Sequence, residues 1–340
     1  MLKKFSAALA AVAMVALGAA GQTLINAGGA TFPYPMYSKW FNDYKAKTGV
    51  AVNYQSKGSG FGVAQITAGT VDFGASDMPL TDMQLKDFSA KRGMEVLHFP
   101  TVLGADVPTY NVPGVTATLN FTPDALAGIY LGKITKWNDP ELTKANPSVK
   151  LPAKDITVVH RAEGSGTTFI WVDYLSKISK EWEMKVGRGA SVNWPAGLGG
   201  QGNEGVAGTI KNTENSIGYV ELIYAIQNKM PYGNVKNANG EFVQASLASV
   251  TAAAAGAAKT MPEDFRVSIT NAPGKGVYPI SSFTWLLIPE KISDPAKKKA
   301  ITDFLGWMLK DGQTMTAPLS YAPLPKEVIA KETKAIAKIK

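Results

Sequence analysis

Three short segments of the chain share one pattern of residue types. Residues 30–33 (ATFP), 58–61 (GSGF) and 164–167 (GSGT) each combine a small residue with Ser or Thr just before a predicted helix. The first turn of a helix leaves N–H groups unpaired and carries a partial positive charge, so it attracts anions. Each segment alone also fits an ordinary helix cap or turn. Three of them in one chain favour a shared anion-binding site.

Arg161 is the charged side chain best placed to join such a site. It lies four residues before Ser165 at the end of a predicted strand, which is the edge where open α/β sheets bind ligands. Its planar guanidinium can donate two hydrogen bonds to an oxyanion. The alternative is a surface arginine paired with Glu163. The position at the strand end favours the ligand role, with Glu163 as a supporting partner.

Asp77 is unusual beside an anion site because a carboxylate repels anions. It too follows a predicted strand, at residues 71–75. An ionised carboxylate only accepts hydrogen bonds, so it suits an anion that carries a proton, such as phosphate, and rejects sulfate. The alternative is that Asp77 caps the turn before Pro79.

The chain offers little to an enzyme mechanism. It has no cysteine and only two histidines, His98 and His160, which are far apart in sequence. These counts exclude a thiol nucleophile and argue against a histidine metal cluster. Neither a G-x-S-x-G elbow nor a GxxxxGK[ST] loop is present. We therefore expect no catalytic residue, no metal and no cofactor.

Two other features near the candidate residues leave their roles open. Residues 197–205 are rich in glycine, but no Lys-Ser/Thr pair follows them. We interpret them as a loop packed near the ligand cleft, with ligand contact left open. His160 could titrate beside Arg161, or it could be structural.

The first 21 residues have the pattern of a signal peptide. Lys3 and Lys4 precede an apolar run at residues 7–17, and small residues follow at 18–21. The run is shorter than the roughly 20 residues that cross a bilayer, which argues against the alternative of a membrane anchor. We therefore expect a protein exported to the periplasm. Losing Lys3 and Lys4 lowers the formal net charge from +8 to +6, which favours anionic ligands and does not single out nucleic acid.

Strands and helices alternate along the rest of the chain, which predicts an α/β fold with a mostly parallel sheet. We expect a first lobe from residues 22–101 and 280–340, and a second lobe from residues 102–279. Two strands would then cross between the lobes and leave a cleft that closes about a hinge. We also expect strands at 95–100 and 277–280, a helix starting at 63 and a loop at 197–205.

Several segments resemble the phosphate-binding protein family of phosphate ABC transporters. They are residues 28–40 (GGATFPYPMYSKW), 71–77 (VDFGASD), 129–134 (IYLGKI), 161–167 (RAEGSGT), 194–200 (WPAGLGG) and 218–221 (GYVE). The resemblance runs in the same order over nearly the whole chain after the signal peptide. It implies a two-lobed binding protein of type II topology that holds a dehydrated phosphate between its lobes.

The resemblance also implies a set of phosphate ligands. They are Thr31, Phe32 (through its backbone amide), Ser59, Asp77, Arg161, Ser165, Gly166 and Thr167. Glu163 stands where the family has a shorter Asp that orients the arginine, and His160 stands where a second arginine is common. These two departures bear on affinity more than on the identity of the ligand.

The function we expect is capture of inorganic phosphate and its delivery to an ABC transporter permease in the inner membrane. We expect a monomer that is not an enzyme and has no nucleic-acid partner. One alternative is an exported phosphatase-like enzyme on the same scaffold. The other is a binding protein for a different oxyanion, arsenate or sulfate.

Overall fold

The computed structural model describes residues 23–340 of the chain. The predicted signal peptide at residues 1–21 therefore lies outside the described residues. Within residues 23–340, no helix has both the length and the apolar character that crossing a membrane requires.

The described residues contain eleven strands and twelve α-helices. The strands are β1 (Leu24–Gly29), β2 (Ala51–Ser56), β3 (Phe73–Ser76), β4 (Val96–Asn111), β5 (Asn120–Phe121), β6 (Thr157–Arg161), β7 (Leu198–Gly200), β8 (Ser216–Glu221), β9 (Asn234–Lys236), β10 (Phe242–Val243) and β11 (Ser281–Pro289). The helices are α1 (Tyr34–Thr48), α2 (Ser59–Ala68), α3 (Asp82–Arg92), α4 (Pro123–Tyr130), α5 (Pro140–Ala145), α6 (Gly166–Ile178), α7 (Lys180–Lys185), α8 (Gly202–Asn212), α9 (Leu222–Gln227), α10 (Leu247–Thr260), α11 (Pro295–Met308) and α12 (Lys326–Ala335).

Eight of the strands form one sheet, in the order β2-β1-β3-β11-β4-β8-β6-β7. β1 is parallel to β2 and β3, and β6 is parallel to β7 and β8. Between these two parallel groups, β11 is antiparallel to β3 and β4, and β4 is antiparallel to β8. Each parallel group is the sheet of one lobe. This architecture confirms the predicted two-lobed α/β fold.

The candidate residues follow the carboxyl ends of parallel strands. Thr31 follows β1, Ser59 follows β2 and Asp77 follows β3, all in the first lobe. Arg161 ends β6 in the second lobe. Parallel strands bring such ends to one edge of a sheet, where α/β proteins bind their ligands.

β4 is the strand that joins the two lobes. Its residues Val96–Ala105 pair with β11, and its residues Asp106–Asn111 pair with β8. The prediction of a strand at 95–100 was wrong about its end, because β4 continues through Pro100 and Pro108 to Asn111. The strand tolerates Pro100 because the register with β11 shifts between Thr284 and Trp285, beside that proline.

The chain returns to the first lobe through an irregular segment. We predicted a strand at 277–280, but these residues form none, and Pro279 has no N–H to donate to a ladder. The segment instead crosses beside Asp106, whose N–H donates to Ile280 O (2.9 Å) and whose carbonyl accepts from Tyr278 Oη (2.9 Å). The proposed lobe limits at 101/102 and 279/280 stay predictions. The partner change in β4 falls between Ala105 and Asp106.

α1 shows how the sequence fixes a helix against the first lobe. A proline stands in its first turn, and Gly49 ends it with φ 80°, a left-handed conformation that glycine adopts without strain. Its buried face carries Tyr37, Trp40, Phe41 and Tyr44, at helical spacing. Trp40 also donates from Nε1 to Gly312 O (2.9 Å), so the helix is tied to the C-terminal part of the chain.

Two further predictions were wrong in their limits. α2 begins at Ser59, four residues before the predicted start at Val63, because Gly58 serves as its N-cap residue. The predicted loop at 197–205 contains β7 and the first turn of α8. Both helices therefore begin earlier than we expected, and each contacts the loop before α6 through a backbone N–H of its first turn.

Candidate anion-binding site

The residues predicted to bind an anion lie together between the lobes and are buried. The exposed fractions of Thr31, Phe32, Ser59, Asp77, Arg161, Ser165 and Thr167 are between 0 and 3%, and Gly166 is buried as well. Polar and charged residues are rarely buried this deeply without partners. Their mutual contacts therefore decide what the site can do.

The N-termini of α2 and α6 meet across the cleft. Gly60 N donates to Gly164 O (2.9 Å), which links the first turn of α2 to the loop before α6. Gly166 lies so close to Asp77 and Ser59 that a Cβ built on it would be 2.5 Å from Asp77 Cβ. The lobes are therefore closed on each other at this point. Two helix N-termini of positive partial charge face one small volume.

Arg161 is held at the end of β6 by the side chains around it. Its Nη1 donates to Thr167 Oγ1 (3.0 Å), and its Nε donates to Glu163 Oε1 (2.9 Å), which also accepts from Nη2. The main chain of Arg161 is fixed too, because its N–H donates to Tyr219 Oη (3.2 Å). Arg161 is thus paired with Glu163, and the pair fixes the guanidinium inside the protein instead of at the surface.

Glu163 contacts more than Arg161. Its Oε1 also accepts from the N–H of Gly202 at the start of α8 (3.1 Å). A Cβ built on Gly58 would lie 3.1 Å from Glu163 Oε1, so this side chain also reaches the first lobe. The longer Glu therefore orients the arginine and at the same time touches α8 and the loop before α2.

Asp77 points into the same volume from the first lobe. Its Oδ1 accepts from Thr284 Oγ1 (2.7 Å), and its Oδ2 accepts from Ser59 Oγ (3.3 Å). Burial raises the pKa of Asp77 to about 7, although the Thr284 hydrogen bond, the Arg161 charge and Ser59 oppose the shift. The alternative role as a turn cap is wrong, because Ser76 Oγ makes the turn contacts with Met78 N and O.

Ser59 and Thr31 are not helix caps, whereas Ser165 is one. Ser59 Oγ accepts from Asp77 N (3.1 Å), and it lies inside α2. Thr31 precedes α1, whose N-cap residue is Pro33. Ser165 Oγ accepts from Thr168 N (3.1 Å) as the N-cap of α6. The ordinary capping explanation therefore accounts for one of the three segments.

Asn203 is a site residue that the sequence analysis missed. Its Nδ2 donates to Thr31 Oγ1 (2.8 Å) in the first lobe and to Thr167 Oγ1 (3.1 Å) in the second. Its Oδ1 accepts from Glu221 N (2.8 Å), which fixes the amide orientation. The available signal was its place after the glycines of residues 197–202, at the start of a helix.

Thr284 and Tyr224 are two more residues that no local motif indicated. Thr284 stands on β11 and donates to Asp77. Tyr224 on α9 donates from Oη to Thr31 O (2.5 Å) and contacts Glu204 Oε1 (3.1 Å). Both are distant in sequence from the residues they hold, so only the fold brings them together.

Neither histidine belongs to the group of anion donors. The His160 ring stacks on Trp194, with centroids 4.8 Å apart, and its Nδ1 lies 2.9 Å from Arg161 O. Partial burial lowers the pKa of His160, so it favours the neutral form. His98 is buried, accepts from Leu80 N (3.1 Å) and has its pKa lowered to about 4 by burial. Both contacts are structural.

The arrangement brings hydrogen-bond donors from both lobes together with the carboxyl of Asp77. The donors are hydroxyls, a guanidinium and the N–H groups of first helical turns. The other carboxylate, Glu163, is paired with Arg161. In the part of the chain that the structure describes, no three His, Cys, Asp or Glu side chains are grouped to hold a metal ion. Such a set of groups suits a small tetrahedral oxyanion that carries a proton. The role of each residue as a ligand stays a prediction.

Comparison with known proteins gives an independent account of this chain. Residues 15–311 match the profile of the PBP superfamily domain. The phosphate-binding protein PstS of Xylella fastidiosa (strain Temecula1) is 47% identical over 306 residues, covering 90% of this chain and 82% of that protein. The phosphate-binding protein PstS of Pasteurella multocida is 46% identical over 317 residues, covering 93% and 90%.

Solved structures agree with the fold. A high-affinity periplasmic phosphate-binding protein, PfluDING, solved with phosphate bound, superposes with a TM-score of 0.71 at 22% identity, covering 92% of this chain and 93% of that one. The phosphate-binding protein of Stenotrophomonas maltophilia gives a TM-score of 0.67 at 18% identity, covering 92% and 93%. With the matched profile and relatives at this level of identity, the chain belongs to the PBP superfamily and, within it, to the family of PstS phosphate-binding proteins.

Proposed function

We propose that this protein binds inorganic phosphate between its two lobes and supplies it to an ABC transporter. The ligands would be those expected from the sequence: Thr31, Phe32, Ser59, Asp77, Arg161, Ser165, Gly166 and Thr167. The observation that carries the proposal is the buried contact between the α2 and α6 N-termini, with Asp77 and Arg161 beside it. The PstS relatives, named for phosphate binding, support the same ligand.

Arg161 supplies the positive charge for the anion. Its Nε and Nη2 contact Glu163, while Nη1 is directed to Thr167 beside the cleft. Charge-assisted hydrogen bonds in such a buried setting are about twice as strong as neutral ones. The hydroxyls and helix amides complete a shell that replaces the water around the ion.

Asp77 discriminates between phosphate and sulfate. Phosphate can donate a proton to an ionised carboxylate, whereas sulfate at neutral pH has no proton to donate. A sulfate in this volume would leave Asp77 facing it without a hydrogen bond, which costs binding free energy. Arsenate has the same shape and protons as phosphate, so Asp77 acts against sulfate and accepts both of the other anions.

A phosphatase-like enzyme on this scaffold is the weaker alternative. An ester substrate needs room for its leaving group, but Gly60 and Gly164 are in hydrogen-bond contact where the lobes meet. A hydrolase also needs a base or metal to activate water. Asp77 is already bonded to Thr284 and Ser59. We therefore infer a carrier that is not an enzyme.

The predicted signal peptide and the family both support a periplasmic place of action. The pattern at residues 1–21 supports export to the periplasm. The chain would work there as a monomer and deliver phosphate to the transporter's permease in the inner membrane. Release requires the two lobes to separate, since the ligands come from both.

Titration calorimetry with inorganic phosphate tests the proposal. We expect one phosphate per chain in the wild type and at least about a 100-fold loss of affinity in Arg161→Gln, because a buried charge-assisted contact is removed. Arg92→Gln, at the end of α3, is the matched control and should bind as the wild type does. A wild type that shows no phosphate binding would refute the proposed function.

A further inference from the structure

Residues 261–271, which we call the strap, run between the two lobes outside the candidate site. The strap follows α10 and begins against the first lobe, where Lys331 Nζ donates to Met261 O (2.6 Å). Further along, Trp285 Nε1 on β11 donates to Phe265 O (2.9 Å). The first half of the strap is therefore attached to α12 and β11, both of the first lobe.

Arg266 ties the strap to the loop that carries Asp77. Its Nη1 donates both to Leu80 O (2.8 Å) and to Asp82 Oδ1 (2.8 Å). Asp264, on the strap itself, accepts from Arg266 Nε (2.7 Å) and holds the guanidinium in that direction. Leu80 is three residues from Asp77, so this contact bears directly on the loop that positions the carboxyl.

The same loop is fixed from its other side. Leu80 N donates to His98 Nε2 (3.1 Å) on β4. Both backbone polar groups of Leu80 are thus occupied, one by the strand and one by the strap. If Arg266 is removed, the strand contact alone remains at this residue.

The second half of the strap is attached to α6 in the second lobe. Ser268 Oγ and Thr270 Oγ1 both donate to Asp173 Oδ2 (2.6 Å each). Lys177, one turn further along α6, donates to Ser268 Oγ (2.8 Å) and Thr270 O (3.0 Å). α6 is the helix whose first turn contains Gly166 and Thr167, about 10 Å from Asp173 at 1.5 Å per residue.

The path of the strap is imposed by these contacts. Phe265 has φ 58° and Asn271 has φ 54°, in the left-handed region. A bulky aromatic residue rarely adopts this conformation. Phe265 is nevertheless buried, with 2% of its surface exposed. Its surroundings therefore hold it there against its local preference.

We propose that the strap positions the two halves of the phosphate site relative to each other. Arg266 is a positioning residue for the Asp77 loop, and Thr270 is a positioning residue for α6. Neither contacts the ligand. Because the strap spans both lobes, its attachments favour the closed arrangement and slow the release of the ion. The role in release rests on the proposed phosphate binding.

Stopped-flow measurement of phosphate dissociation tests the effect on release. We expect Arg266→Gln to raise the dissociation rate about tenfold with little change in the association rate, because a hydrogen bond to a charged group is lost. Arg266→Lys keeps the positive charge, so its dissociation rate should lie between those of Arg266→Gln and the wild type. Thr270→Val should also raise the rate, while Thr302→Val, in α11, and Arg92→Gln are controls that should not.

The double variant Arg266→Gln/Thr270→Val decides whether the two ends act through one element. If they do, its dissociation rate rises by less than the product of the two single effects. The proposal would be overturned if the dissociation rate of the double variant rose by the full product of the two single effects. It would also be overturned if the single variants released phosphate within about twofold of the wild-type rate.

Hydrogen–deuterium exchange without phosphate separates this proposal from the proposed function. Arg266→Gln should speed exchange both in residues 78–81 and in the first turn of α6, since the strap connects them. Faster exchange at residues 78–81 alone would show that the strap does not couple the lobes and would overturn the proposal. These results stand even if the wild type proves not to bind phosphate, which would refute the proposed function and not the strap.

Discussion

Replacing Gly166 by alanine puts a methyl group where the two lobes meet. A Cβ at this position would lie 2.5 Å from Asp77 Cβ, 2.5 Å from Ser59 Oγ and 2.7 Å from Asp77 N. Ordinary contacts of a Cβ atom begin at 3.4 Å. Ser59 can turn its hydroxyl away, but the backbone of Asp77 can move only with its loop. The first lobe must therefore shift away from α6 by about 1 Å at this point.

A displacement of about 1 Å is large on the scale of a hydrogen bond. A donor and acceptor at about 2.9 Å would separate to about 3.9 Å, beyond the range in which the bond forms. Because ligands come from both lobes, an ion held by one lobe loses contacts with the other. Loss of one or two charge-assisted hydrogen bonds at about 1.5–3 kcal/mol each lowers phosphate affinity about 100-fold.

Titration calorimetry of Gly166→Ala beside Gly208→Ala measures this effect. Gly208 lies within α8 of the same lobe, and a Cβ built there meets nothing within 4 Å. We expect Gly208→Ala to bind phosphate as the wild type does and to gain about 0.5–1 kcal/mol in stability from better helix propensity. Gly166→Ala should keep its melting temperature while losing affinity. Affinity within about threefold of the wild type would refute the closure argument, because such a change is below 1 kcal/mol.

Three other predictions concern single buried residues. Glu332 is fully buried with both carboxylate oxygens unpartnered, and burial raises its pKa well above the usual value. The folded state therefore keeps this proton as pH rises above about 4.5, while the unfolded state loses it, so the free energy of unfolding falls. Glu332→Met should raise the free energy of unfolding by about 1–3 kcal/mol in urea at pH 7, because it removes the buried carboxyl. The exposed control Glu327→Met should not. Burial lowers the pKa of His98 from 6.5 to about 4, so between these pH values the unfolded state binds a proton that the folded state does not. The free energy of unfolding is therefore greatest above pH 6.5 and falls by up to about 3 kcal/mol towards pH 4. His98→Gln should remove this dependence in acid-unfolding curves. Asn203→Ala removes the bridge between Thr31 and Thr167 and should weaken phosphate binding about tenfold in calorimetry. An unchanged stability in Glu332→Met, an unchanged pH dependence in His98→Gln or an unchanged affinity in Asn203→Ala would contradict the corresponding argument.

Much of the first lobe could be predicted because its signals are local. The helical spacing of aromatic residues located α1 to within a residue or two, and the apolar spacing after Pro295 did the same for α11. Glycine with Ser or Thr before a helix indicated the anion site. Each of these signals depends only on neighbours within one or two turns.

The errors came where distant strands override local preference. Pro100 and Pro108 are strand-breaking residues, yet β4 continues through them because β11 and β8 pair with its two halves. Residues 277–280 look like a strand by their side chains, but the chain bends there beside Asp106. Hydrogen bonds formed across the sheet are not visible in a sequence window.

Local motifs predicted the candidate donors of the site, but they did not indicate the residues that cross-link them. Asn203, Thr284 and Tyr224 hold Thr31, Thr167 and Asp77 from residues far along the chain. Asn203 and Tyr224 reach Thr31 only when the lobes meet, and Thr284 reaches Asp77 only when β11 pairs with β3. No spacing rule could indicate either contact. The pKa of Asp77, too, depends on burial that the fold creates.

Sulfate binding as a function of pH tests the central claim, that Asp77 selects phosphate. Sulfate keeps its charge between pH 5 and 9, so a change in its binding must come from the protein. With the pKa of Asp77 near 7, we predict that the wild type excludes sulfate at pH 8 while binding phosphate, and admits some sulfate as Asp77 becomes neutral below pH 7. Asp77→Asn should bind sulfate at both pH values. Equal binding of sulfate and phosphate by the wild type at pH 8, or continued rejection of sulfate by Asp77→Asn, would contradict the claim.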